Sequence, residues 1–223
     1  MIISVVTSPS ADELERRMRP GAWSDVGFLG LHERLEDVLQ ADALTLAELG
    51  LTASELAEPL ALLIQAPLLS DREPLDDFPF ADELRARDAA LRAELERRFG
   101  PVEETPSGTL VGGRYQVDVT LTLGVQECPW SPIRVGDAPE GELVRLCGGG
   151  SGDWWIRNLA RREELDGPEL IEHLIGEHGF FEGRESPYRV DPKRLARLLE
   201  LGPFARSPPQ SPPRRFRRLR ERT

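Results

Sequence analysis

RYQVDVTLTL, residues 114–123, is the stretch that decides the fold. Tyr115, Val117, Val119, Leu121 and Leu123 alternate with Gln116, Asp118, Thr120 and Thr122. A period of two puts one set on a buried face and the other in water, so the segment reads as a half-buried strand. Just before it, Val111-Gly-Gly-Arg114 reads as a two-residue hairpin turn, because glycine accepts the positive φ such turns need. After it come Cys128-Pro-Trp130, a loop rich in Pro, Gly and Asp, and a short strand over Glu142–Cys147. GGGSGD (148–153) then turns the chain into a further strand, Trp154–Leu159. Neighbouring tryptophans 154 and 155 must face opposite ways, and at least one needs a cover.

Downstream, Asp166-Gly-Pro-Glu reads as a helix start, with Pro168 suited to the first helical position. That helix carries Leu170, Ile171, Leu174 and Ile175 and stops at Gly179. Asp191-Pro192 opens a last helix, which Gly202-Pro203 ends. From about residue 204 the chain becomes a Pro- and Arg-rich tail, SPPQSPPRRFRRLRERT from Ser207, a composition read as disordered.

Upstream, the pattern is helical. Residues 2–6 suggest a short edge strand, and the capping box Ser10–Glu13 starts a helix over Ala11–Met18. Heptad-like leucines predict a helix from Leu31 to Leu49, closed by Gly50. A second capping box, Thr52–Glu55, opens a third helix, which Pro59 should kink or restart. Residues 67–80 form a proline-rich connection, and Ala81–Phe99 is an amphipathic helix. The fold class is therefore α+β: N-terminal helices, then a small antiparallel sheet, then two helices. The expected organisation is a helical region over 1–100, a sheet-and-helix region over 101–203 that joins it in one body, and the tail over 204–223.

With 28 basic and 39 acidic residues, the net charge of −11 divides unevenly. The tail from Arg206 carries +6 and the remainder −17. An acidic body argues against nucleic acid as a partner except through the tail. No window approaches the ~20 apolar residues of a membrane span, and the start lacks the basic region of a signal peptide. The expected location is the cytoplasm, with an unidentified protein partner in view.

The chain's only cysteines, Cys128 and Cys147, and two of its three histidines, His173 and His178, make one candidate metal set. Zinc favours four such ligands in a tetrahedron, and Cys₂His₂ is a closed, structural combination. Two features strain this reading. Eighteen residues separate the cysteines, against two to four in a zinc finger. The histidines are five apart, about 140° around an ideal helix. Two other readings stand beside zinc: buried cysteines with an ordinary helical histidine pair, and a Cys–His catalytic pair. A hydrolase-like metal site built from both histidines plus Glu172 or Glu177 is a further alternative. No catalytic residue and no other cofactor is assigned. His32 reads as a solvated or packed helical histidine, GGGSGD lacks the lysine and helix of a phosphate loop, and Asp118, Glu127 and Asp137 read as solvated carboxylates.

ECPW (127–130), DWWIRN (153–158), GPELIEHLIGEHGFFEG (167–183) and SPYRVDP (186–192), with MRPGAWSDVGFLG (18–30), resemble a pattern found in bacterial proteins of unknown function. The resemblance implies a bacterial, cytosolic protein and brings no activity, cofactor or catalytic residue with it.

Overall fold

A computed structural model of the chain describes residues 5–69, 81–135 and 147–205. Outside them lie residues 2–4 of the first expected strand, most of the 67–80 connection, the strand expected over 142–146, Asp137 and the Pro/Arg-rich tail.

The architecture is α+β. Helices α1 (Ala11–Met18), α2 (Leu35–Leu49), α3 (Ala53–Gln65) and α4 (Ala81–Phe99) come first, and a 3₁₀ turn (Ala66–Leu69) follows α3. Strands β2 (Val102–Thr105), β3 (Gly108–Val111), β4 (Tyr115–Glu127), β6 (Gly149–Asn158) and β7 (Glu163–Pro168) build an antiparallel sheet in the order β2-β3-β4-β6-β7. Strands β1 (Val5–Thr7) and β5 (Ile133–Val135) pair separately. Helices α5 (Leu170–His178) and α6 (Pro192–Leu198) follow, and a 3₁₀ turn (Gly202–Phe204) comes after them, so α6 ends at Leu198 and not at the expected Gly202-Pro203.

Local chemistry explains most boundaries. Ser10 Oγ accepts the Glu13 N–H and caps α1, and the reciprocal Thr52–Glu55 box caps α3. Asp191 accepts the Arg194 N–H at 2.9 Å and caps α6 behind Pro192. Gly112 and Gly113, at φ 60° and 61°, make the turn from β3 to β4, closed by Arg114 N–H donating to Val111 O.

Several expectations need correction. α2 starts at Leu35, not Leu31: Leu31 lies in an exposed turn, and a carboxylate from another helix, Glu15, accepts the Leu35 N–H at 3.0 Å. Leu31-His32 is that turn, so His32 is not helical. α3 runs unbroken through Pro59; Glu55, whose carbonyl loses its helical partner there, is exposed and can use water. GGGSGD does not turn the chain, since residues 149–153 are the first half of β6. Its glycines serve close approach instead. A Cβ on Gly150 would lie 2.5 Å from Leu170 N, and one on Gly152 would lie 2.6 Å from Thr120 O. Likewise, Asp166-Gly-Pro belongs to β7, and α5 begins only at Leu170.

The sheet buries Tyr115, Val117, Trp154, Ile156 and Leu165 against α3, α5 and α6. Val117 pairs with Ile156 and Val119 with Trp154 across β4 and β6. Both halves of the chain feed one core, from Met18, Leu60 and Leu63 to Ile171, Phe180 and Leu195. Gly176 lets α5 lie close on α3, where a Cβ would come within 3.1 Å of Ala57 Cβ. Trp154 is buried and donates its indole N–H to Pro168 O at 3.0 Å, while Trp155 on the opposite face is half-buried. The alternation of β4 buries its face only as far as Val119. Beyond, Leu121, Leu123 and Val125 are exposed, at 60%, 108% and 65%. No helix among the described residues is long and apolar enough to cross a membrane.

A buried polar knot closes the loop after α5. Glu182, at φ 64°, accepts the Ser186 hydroxyl at 2.5 Å, and Arg189 donates to its carbonyl. Burial pushes the Glu182 carboxyl up from 4.5 to about 7, against the Ser186 hydrogen bond and the Arg189 charge. The native state thus keeps a proton that the unfolded chain has released. Stability falls as pH rises from about 4.5 to about 7 on this account, and levels off above. Glu182→Gln is neutral throughout. Its stability relative to wild type is expected to rise over that window, by at most about 3 kcal/mol, in urea unfolding at pH 5 and pH 8.

Candidate metal centre

Three separated parts of the chain meet at one corner. Cys128 directly follows β4 and is fully buried. Its N–H donates to Gly148 O at 2.9 Å, and its carbonyl accepts the Ser131 N–H at 2.8 Å. Cys147 is exposed, sits in a bend just before β6, and donates its N–H to Ser131 Oγ at 3.2 Å. Buried Ser131 therefore fixes both cysteine segments. Gly148 has no side chain because the His173 ring occupies that space: a Cβ would lie 2.7 Å from it.

His173 and His178 come from α5, which stays helical to its last residue. Gly179, at φ 63°, then turns the chain into the left-handed region, and Phe180 N–H donates back to Leu174 O. No loosening of the last turn is needed. The imidazoles reach around the helix, with ring centroids 5.3 Å apart, and turn Nε2 toward the sulfurs.

Cys128 Sγ lies 3.3 Å from His178 Nε2, and Cys147 Sγ lies 3.5 and 3.4 Å from Nε2 of His173 and His178. One ligand atom from each of the four residues falls within 4.8 Å of all the others. Tetrahedral zinc with its usual Zn–S and Zn–N bond lengths has S···N edges of about 3.6 Å. Four soft or borderline donors thus converge, and the group could hold a metal ion.

Burial keeps the thiol and both imidazoles in their uncharged forms. Burial pushes the Cys128 thiol up to about 12, Cys147 adds to this, and the backbone amides of Trp130 and Ser131 pull it partly back. Burial, then the neighbouring His173, pushes His178 down to about 4, and burial also lowers His173. Neutral imidazole is already the ligand form, and a bound dication would favour the thiolate.

Sequence reasoning missed the groups behind the ligands. Trp130 stacks on His178 at 4.1 Å with planes 5° apart and meets Phe180 edge-on at 5.5 Å. Arg17 of α1 is 4% exposed. It donates to Pro129 O at 2.8 Å and Ser131 O at 2.7 Å, pairs with Glu13 at 3.0 Å, and lies 4.3 Å over Trp23. The signal was present: Arg17 follows Leu14 by three residues and adjoins Met18, so it lies on the helix's buried face. Arg17→Met keeps the packing and removes both hydrogen bonds to the Cys128 loop. It is expected to weaken metal binding by about 10- to 100-fold in a chelator competition.

Glu172 and Glu177 are neighbours on α5 but supply no ligand to the group. Burial raises the Glu172 carboxyl, with Glu169 and Glu177 adding to it. Asp118 and Glu127 lie on exposed strand surface. A separate groove of about 520 Å³ runs between the loop at Trp23–Val26 and the outer ends of β4 and β6, with Tyr188 at its side, and none of the four ligands lines it.

Neither a family model, a curated protein nor a solved structure matches the chain. Phe28 O accepts the Gly183 N–H at 2.8 Å, which ties the loop after α5 to the N-terminal segment.

Proposed function

We propose that this chain is a non-enzymatic binding or accessory protein of the bacterial cytoplasm, held together by a structural zinc at Cys128, Cys147, His173 and His178. The observation that carries the reading is the composition of the group: two sulfurs and two nitrogens, with no carboxylate among them. Four such ligands fill a zinc tetrahedron and leave no position for water or substrate. The hydrolase alternative needs Glu172 or Glu177 in an open shell, and neither belongs to the group. A reducing compartment suits both thiols. The bare apolar end of β4 supports a protein partner.

The test is metal analysis of protein purified without a metal-affinity tag. One zinc per chain that survives dialysis, and is lost in Cys128→Ser and His178→Ala, is the expected result. A metal that leaves on mild dialysis with no change in stability moves the assignment to the hydrolase. Metal-free wild-type protein overturns both.

A further inference from the structure

We infer that Cys147 is an oxidation site, and that its reaction with a peroxide leads to a Cys128–Cys147 disulfide that expels the metal. The inference rests on the structural-zinc reading and adds its regulation. The two sulfurs differ sharply in access. Cys128 is fully buried, and its loop is held by Arg17, Ser131 and the Gly148 carbonyl. Cys147 is exposed, lies in a bend, and has Gly148 beside it. A peroxide therefore reaches Cys147 first, since thiolate reactivity follows exposure as well as charge.

The second sulfur is already in place. The two Sγ atoms lie within 4.8 Å, and a disulfide bond is about 2.05 Å long, so closure asks for a short movement of the side chains. In the first step the Cys147 thiolate attacks a peroxide oxygen. The O–O bond breaks, hydroxide leaves and takes a proton, and Cys147 becomes a sulfenic acid. In the second step the Cys128 thiolate attacks Cys147 Sγ. The S–S bond forms, the S–O bond breaks, and a second hydroxide takes a proton. Two thiolates, one hydrogen peroxide and two protons thus give one disulfide and two waters. The sulfurs lose two electrons and the peroxide gains them. With both thiolates gone, two imidazoles alone do not retain zinc. A dithiol reductant with added zinc reverses the sequence.

The experiment treats the zinc-loaded full chain with hydrogen peroxide. It follows zinc release with a colorimetric chelator, intact mass, and sulfenic acid trapped by dimedone and located by peptide mass spectrometry. Expected is one zinc released per chain, in step with the loss of two hydrogens from the mass, and restoration by dithiothreitol plus zinc. In Cys128→Ser, which lacks the resolving thiol, dimedone should accumulate on Cys147. Partial alkylation of wild type, which does not depend on that variant folding, should modify Cys147 about tenfold faster than Cys128. Dimedone on Cys128, faster alkylation of Cys128, or zinc release without an intramolecular disulfide overturns the inference. Zinc-loaded protein whose thiols resist peroxide overturns it alone, whereas wild-type protein without zinc overturns the structural-zinc reading as well.

Discussion

On the structural-zinc proposal, stripping the metal with a strong chelator is expected to lower the melting temperature by roughly 8–16 °C. The magnitude follows from linkage. With free zinc a thousandfold above its dissociation constant, the bound state gains about 4 kcal/mol over the unfolded chain. For a chain of this length each kcal/mol moves the midpoint by about 2–4 °C. The loss should not be total, because the core of Trp154, Ile156, Leu60, Leu63 and their neighbours does not depend on the site. It should also be local. The loop at Cys128–Ser131, the bend at Cys147 and the end of α5 are joined at this corner mainly by the ligand set and by Ser131. Amide exchange with and without chelator should therefore differ most at these three segments. An unchanged melting temperature, on protein shown to have carried zinc, would remove the structural role.

Arg189→Ala is expected to cost about 3–5 kcal/mol. Asp42, on α2, is 2% exposed, and its carboxylate receives both Arg189 guanidinium nitrogens, the closer at 2.5 Å. Burial raises the Asp42 carboxyl despite this pairing, so desolvation already outweighs the attraction. Removing the arginine leaves a buried carboxylate without its partner and also frees the Glu182 carbonyl. The double variant Asp42→Leu/Arg189→Met should recover much of the loss, because two apolar side chains need no pairing. Urea unfolding of the two singles and the double closes the cycle. If Arg189→Ala alone costs under 1 kcal/mol, the pair is not what pins the loop after α5 to α2.

The α+β class was legible because each signal was local. The alternation from Tyr115, the Ser10 cap, the Thr52–Glu55 box and Gly179 each act within a few residues, although the Glu13 carboxylate pairs with Arg16 and Arg17 instead of closing a box on Ser10. The four metal-set residues were legible by residue type, since the chain has so few cysteines and histidines to choose from. Their convergence was not. It depends on a sheet register that brings Cys128 N–H to Gly148 O, and on a helix seated so that Gly148 faces His173. The same limit misplaced the glycine tract. Locally, 148–153 looks like a turn, and only the start of α5 pressing on Gly150 and the strand β4 pressing on Gly152 require glycine there. Leu121 and Leu123 failed in the opposite sense: the pattern is that of a buried strand, but the sheet's helical cover stops short of them.

The position of Arg17 gives the protein a timetable. The arginine that steadies the Cys128 loop is made 161 positions before His178, the last of the four grouped residues. At ordinary translation speeds that interval is on the order of ten seconds. During it the arginine waits for the carbonyls of Pro129 and Ser131, and the two thiols emerge before either histidine can share a cation with them. On the structural-zinc proposal, metal capture is a late event in the birth of each molecule. A growing chain then passes through a stage in which its cysteines are made before the histidines that would share a cation with them, so the supply of zinc at the ribosome would bear on how many chains mature.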